Sequence, residues 1–185
     1  MEVFMNIIGI VIIFAVIIFI YLFNSMTMKK NAVDYALAVI DVQLKKRFDL
    51  IPNLVAATAK YMEHENETLS KLAEMRSNAS SVAEKSALDN KITSSLRNYM
   101  LQVEAYPDLK ASDSIKNLQN SLNEIEAQLA AARRAYNSAV TDFNNAVQTF
   151  PGCLLSGIKR FSTRDLFEIP AEERQNVDVN ELFKR

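Results

Sequence analysis

Glycine and proline are scarce, at 3 and 4 in a chain of 185 residues. These residues supply tight turns, so their scarcity argues against many short strands and for long helices with few connections. Cysteine occurs once, as Cys153, which excludes an intrachain disulfide and leaves the redox compartment unread. Histidine also occurs once, as His64. A ferritin-like di-metal bundle needs two Glu-x-x-His pairs; Tyr61 stands where the single histidine would need its glutamate, so that class is excluded. His64 opens a stretch resembling the start of a zinc-peptidase motif, but Thr68 occupies the place of the second histidine. The formal net charge is −1, which leaves no basic excess for bulk nucleic-acid binding.

The inventory for other chemistry is equally thin. Cys153 lies beyond the helical region with no positioned base and reads as a plain apolar thiol rather than a nucleophile. Gly152 belongs to no phosphate-binding motif, and the carboxylates are spread along polar faces. Tyr61, Tyr99, Tyr106 and Tyr136 stand at helical spacing beside apolar residues and read as core rather than as the lining of a ligand cavity. Asn66-Glu67-Thr68 and Asn78-Ala79-Ser80 match the glycosylation pattern, which arises readily by chance. The expectation is an empty roster: no catalytic, cofactor-binding or metal-ligating residues, and no cofactor.

What the chain does have is one long apolar run. Residues 3–23, VFMNIIGIVIIFAVIIFIYLF, carry no charge. As a helix they would span about 32 Å, the thickness of a hydrocarbon core. Sixteen of them are Ile, Val, Leu or Phe, each favouring insertion by roughly 0.3–0.6 kcal/mol, which outweighs Asn6 and Gly9 near the outer end. A cleaved signal peptide fits poorly, because the run is too long, no basic region precedes it and no small-x-small site follows. No cysteine follows it closely either, which excludes a lipoprotein. A retained anchor over residues 1–24 is therefore expected, with the lipid bilayer as partner through residues 3–23. Lys29 and Lys30 follow the span while the α-amino group and Glu2 nearly cancel before it. The positive-inside rule then puts the C-terminal part in the cytoplasm.

Beyond the anchor, residues 25–150 keep helical spacing. Val33, Leu37, Ile40 and Leu44 are followed, after a stutter, by Phe48, Ile51, Val55, Thr58 and Met62. Leu69, Leu72, Ala79 and Ala83 carry a weaker stripe. Residues 77–87, SNASSVAEKSA, lose amphipathic character, and their middle reads as a loop. Leu88, Ile92, Leu96, Tyr99 and Val103 then share one helix face, and Pro107 should end that helix. From a Ser112 cap with Asp113 in the first turn, eleven positions from Ile115 through Leu118, Leu122, Ile125, Leu129, Ala132, Tyr136, Ala139, Phe143 and Ala146 to Phe150 alternate 3 and 4. Pro151-Gly152 stops this helix of about 55 Å. Helices joined by short links pack antiparallel. The soluble part is therefore expected to be an elongated, all-α, up-and-down bundle of three or four helices. Residues 151–185 have no sustained period and read as an irregular tail lying back on the bundle. In that tail Lys159, Arg160 and Arg164 are interleaved with Ile158, Phe161, Leu166 and Phe167, a pattern read as a solvated tail rather than as a contact with anionic lipid or a partner.

Pro52 interrupts an otherwise continuous stripe. Either Asp49 caps a new helix with Pro52 in its first turn, or one helix runs through with a kink, or the stretch is a binding feature. Because the stripe continues across the proline, a bent helix is favoured over a reversal. Arg47, Asp49 and Asn53 could bond to backbone groups at the bend or meet Arg133, Arg134 or Asn137 on the last helix.

Five stretches together resemble the LemA family of bacterial membrane proteins. They are IDVQLKKRFDLIPNLV (40–55), YMEHE (61–65), EAYPDLKA (104–111), LQNSLNEIE (118–126) and ARRAYNSAVTDFN (132–144), in family order and at family spacing over most of residues 33–150. The resemblance implies an N-terminal anchor, a helical bundle, no enzymatic activity and a place in the bacterial cytoplasmic membrane as a single-pass protein. Tryptophan, frequent in the family's counterpart of VDYALAVID, is absent here, and nothing is carried over beyond residue 150.

The expected function is non-catalytic: self-assembly of anchored helical rods into a homo-oligomer that organises or remodels the membrane. The alternative is a sensor or adaptor whose bundle binds a small ligand or an as yet unknown protein. A defined cavity with converging polar groups would favour that alternative.

Overall fold

The computed structural model describes residues 1–59, 81–157 and 161–168. Among these every regular element is helical: α1 (Glu2–Thr58), α2 (Val82–Val103), α3 (Pro107–Ala111), α4 (Asp113–Gln148) and a 3₁₀ turn (Gly152–Leu155). The expectations for Met62, Leu69, Leu72, Ala79, His64, Tyr61, Thr68, both asparagine motifs, Ile158, Lys159 and Arg160 fall outside the described residues. The chain divides into two compact units, one made of residues 1–42 and 129–166, the other of residues 43–128 and 167–185.

In the first unit, Met26, Val33, Ala36 and Ile40 of α1 are buried, as are Leu129, Ala132, Tyr136, Val140, Phe143 and Val147 of α4. Each Met, Val, Ile, Leu or Phe among them contributes about 1.5–3 kcal/mol by leaving water. The two helices run antiparallel. Met26 lies beside the Gly152 turn that follows α4, whereas Asp34, two turns further along α1, acts electrostatically on Tyr136, three turns further back along α4. The seam on α4 shifts slightly from the expected one. Val140 and Val147 take the buried positions beside half-buried Ala139 and Ala146, and the helix ends at Gln148, so Phe150 points outward at 80% exposure. Residues 162–166, the return segment of this unit, have no regular structure, and Phe161 just before them packs edge-on against Phe23 with ring centroids 5.4 Å apart. Asn144 holds this return segment by its main chain: Nδ2 donates to the Arg164 carbonyl and Oδ1 accepts from the Arg164 N–H, both at 2.8 Å.

In the second unit, Leu44, Phe48, Ile51 and Leu54 of α1 are buried, together with Ile92, Leu96, Tyr99 and Val103 of α2, Leu109 of α3 and Ile115 of α4. α1 and α2 run parallel here, since Arg47 reaches Asp89 and Thr93 while the Thr58 hydroxyl meets that of Tyr99. α1 passes through Pro52, which sits on its exposed side, so no new helix begins at Asp49. Asp49 instead pairs with Lys45 on the preceding turn at 3.0 Å. Nor does the loop expected in the middle of residues 77–87 extend to its second half. α2 starts at Val82, because Ser81 caps it: the Ser81 hydroxyl accepts from Glu84 N–H at 3.1 Å and the Glu84 carboxylate accepts from Ser81 N–H at 3.0 Å. α2 stops at Val103, before Pro107, and the proline opens the one-turn α3 at a position where its missing N–H is not needed. Ser112 precedes α4 in extended backbone and its carbonyl accepts from Lys116 N–H. Ser86 Oγ donates to the Glu168 carbonyl at 3.1 Å.

Candidate functional site

Two features stand out from the background of helix packing. The first is the surface of α1 over residues 3–20. An 18-residue window of this helix has a mean hydropathy of 3.2, and none of it is buried. The run is apolar almost throughout, and Gly9 is the only glycine in α1. By length and composition it is able to cross a membrane. Burial sets in only at its far end, where Leu22 and Phe23 become half-buried and Met26 buried.

The second is a charged cluster in the second unit. Arg47 is buried against α2 and α4. Its Nη1 donates to Asp89 Oδ1 at 2.8 Å and to the Thr93 hydroxyl at 3.0 Å, and its Nη2 lies 2.9 Å from Glu126 Oε2. Asp89 is fully buried, whereas Glu126 is about one-third exposed. Thr93 in turn donates to the Asp89 carbonyl at 2.9 Å. Burial pushes the Arg47 guanidinium below its ordinary pKa and Glu126 pulls it back up; arginine stays charged throughout. Arg47, Thr93 and Glu126, though not Asp89, line an open groove of about 320 Å³ together with Leu96, Met100 and Asn123. The polar groups of the cluster converge on one another rather than on the groove. One buried cation faces two carboxylates, so the set ties three helices together and presents no activated nucleophile.

The residues singled out in the sequence fall differently. Tyr99 and Tyr136 are core residues, as their spacing indicated. Tyr136 Oη donates to the Asp165 carbonyl at 3.0 Å. Its pKa is raised, chiefly by burial, with Arg164 lowering it and Asp165 and Asp34 raising it. Tyr106 is partly exposed ahead of α3, and Cys153 is half-buried in the 3₁₀ turn. Arg164 is fixed through its backbone by Asn144, Phe161 and Phe167 are buried, and Leu166 is exposed. Of the partners suggested for Arg47, Arg133 is buried and Arg134 exposed, but the partners it meets are Asp89, Thr93 and Glu126. The missed signal was Asp89 itself. It sits three residues before Ile92 on the apolar face of α2, in the place expected for Leu88, and an acid on a buried face demands a cation. Among the described residues no group of three or more His, Cys, Asp or Glu is placed to hold a metal ion.

The LemA family profile matches residues 36–180. The chain belongs to the LemA family. The match reaches past residue 150, so the family likeness includes most of the C-terminal segment that the sequence reading set aside. Protein LemA of Metamycoplasma hominis is 29% identical over 164 residues, covering 86% of this chain and 74% of that one. Magnetosome protein MamQ 2 of Paramagnetospirillum magneticum is 27% identical over 96 residues, 52% of this chain and 35% of its own. Magnetosome protein MamQ of Magnetospirillum gryphiswaldense is 30% identical over 84 residues, 45% of this chain and 31% of its own. This LemA-family chain thus spans about a third of the magnetosome proteins it matches.

Proposed function

We propose that this LemA-family protein is a non-enzymatic, single-span membrane protein that acts by self-assembly at the bilayer. The observation that carries this reading is the bare apolar surface of residues 3–20, continuous in one helix with residues that enter both packed units. Leaving such a surface in water would cost roughly 25 cal/mol per Å² of it, a cost that a bilayer removes. The likeness to proteins of the magnetosome supports a role in organising or remodelling membrane. The soluble part is an up-and-down bundle bent at Pro52, facing the cytoplasm behind Lys29 and Lys30. Light scattering of the full chain in detergent tests assembly: a defined oligomer is expected, and a strictly monomeric particle overturns it. Protease treatment of intact spheroplasts tests sidedness, the expected result being protection of the C-terminal part.

The groove above Arg47 favours a second reading, an adaptor that takes up a ligand or partner between α2 and α4. It is the weaker reading, because Arg47, Thr93 and Glu126, which line the groove, are held by one another and by Asp89.

A further inference from the structure

We propose that the turn after α4 is a second lipid contact, in which Phe150 and Leu154 dip into the interface of the bilayer that α1 crosses. The inference rests on the membrane reading above and adds a site to it.

The position of the turn along α1 carries the argument. Residues 3–20 of α1 are uncovered, and packing begins at Leu22 and Phe23. A helix of twenty-odd apolar residues spans about 30 Å of hydrocarbon, so the lipid boundary falls close to these residues. The protein elements found at that level belong to the chain just after α4. A Cβ on Gly152 would lie 3.5 Å from Met26 Sδ, and Phe161 lies against Phe23. Because α4 runs antiparallel to α1 in this unit, the turn is the end of α4 directed toward the anchor.

The side chains of the turn divide cleanly. Gly152, Leu155 and Phe161 are buried, whereas Phe150 is 80% and Leu154 71% exposed. Two large apolar side chains held outward at the lip of a membrane span are poorly placed in water and well placed among headgroups and the first methylenes. Phenylalanine and leucine are among the side chains that interfacial segments bury about 5–10 Å into the headgroup boundary. Lys29 follows on α1 within two turns of Phe23, at the height where basic side chains meet phosphate, and Lys30 beside it pairs with Asp34. The other strongly exposed apolar side chains on α1 beyond the span, Met28, Tyr35 and Val42, recede progressively from the boundary. The turn thus lies at the level where the uncovered surface of α1 ends, and its partner is the bilayer itself.

The absence of tryptophan from the chain makes the test direct. Single-tryptophan variants Phe14→Trp, Phe150→Trp and Tyr35→Trp of the full chain are reconstituted into phosphatidylcholine vesicles whose acyl chains carry bromine either near the carbonyl or near the terminal methyl. Phe150→Trp should be quenched about twofold or more by the shallow bromine and little by the deep one, as expected of an aromatic side chain at the interface. Phe14→Trp should be quenched by the deep bromine, and Tyr35→Trp by neither. Phe150→Trp unquenched while Phe14→Trp is quenched overturns the second contact and leaves the anchor standing. Phe14→Trp unquenched removes the anchor and this contact together. Leu154→Trp repeats the measurement from an independent position, so poor folding of one variant does not decide the matter.

Discussion

Arg47 Nη1 and Asp89 Oδ1 lie 2.8 Å apart, with both side chains shut away from solvent, on two helices that run in the same direction. Removing one member of a buried pair strands the other charge, which costs about 3–5 kcal/mol. Asp89→Ala should therefore lower the stability of the second unit by that order. Glu126, which shares the same guanidinium from a partly exposed position, is worth far less, and Glu126→Ala should cost about 1 kcal/mol or less. Urea unfolding of the detergent-solubilised chain, followed by helical circular dichroism, gives both numbers. Equal losses for the two variants would show that Arg47 leans on its two partners alike.

Ser81 and Glu84 exchange hydrogen bonds at the start of α2. Ser81→Ala should cost about 1 kcal/mol through the lost cap. Ser81→Asp should recover most of it, because aspartate caps as well as serine does. The same unfolding assay reports this, and an alanine variant as stable as the parent would remove the cap from the account of where α2 begins.

Tyr136 is buried, and its phenol is held above its ordinary pKa. The folded state then prefers the neutral phenol, while the unfolded chain ionises near pH 10. Tyrosine's contribution is complete below that pH and is lost as pH rises through the higher folded value. Tyr136→Phe should cost about 0.5–1.5 kcal/mol near neutrality, through the bond to the Asp165 carbonyl. It should also blunt the alkaline loss, so melting midpoints of parent and variant converge between pH 9 and about pH 11. Parallel alkaline slopes would mean that another group dominates.

Gly152 has no room for a side chain: a Cβ there would run into the Ala146 carbonyl oxygen, a backbone atom that cannot swing aside. Gly157 faces open space. Gly152→Ala should cost about 1–3 kcal/mol, as overpacking does, whereas Gly157→Ala should stay within about 0.5 kcal/mol of the parent. Thermal melts of the pair make the comparison, and equal behaviour would contradict the tight approach of the turn to α4.

The long elements were legible because apolar periodicity survives any detail of packing. The α4 seam through Ile115, Leu129, Tyr136 and Phe143, and the α1 stripe through Val33, Ile40 and Phe48, were readable for that reason. Where polar groups did the specifying, the pattern misled. A serine-rich stretch looked like a loop, although Ser81 and Glu84 three residues apart spell a helix start. Periodicity also pointed to Leu88, while the buried place belongs to Asp89, whose burial is possible only because Arg47 arrives from 42 residues earlier in the chain. Neither residue alone announces the other. The end of α4 was placed two residues late, because an aromatic at seam spacing was read as core although Phe150 faces outward.

Asn144 grips the irregular return of the chain by its backbone, offering one donor and one acceptor to the peptide units of Arg164. A grip on main chain alone takes no notice of what hangs from it. Ser162, Thr163 and Arg164, all exposed, can therefore be exchanged without loosening this fastening, whereas shortening the amide to alanine would undo it and leave the segment held by Phe161 against Phe23 and by the Tyr136 bond to the Asp165 carbonyl.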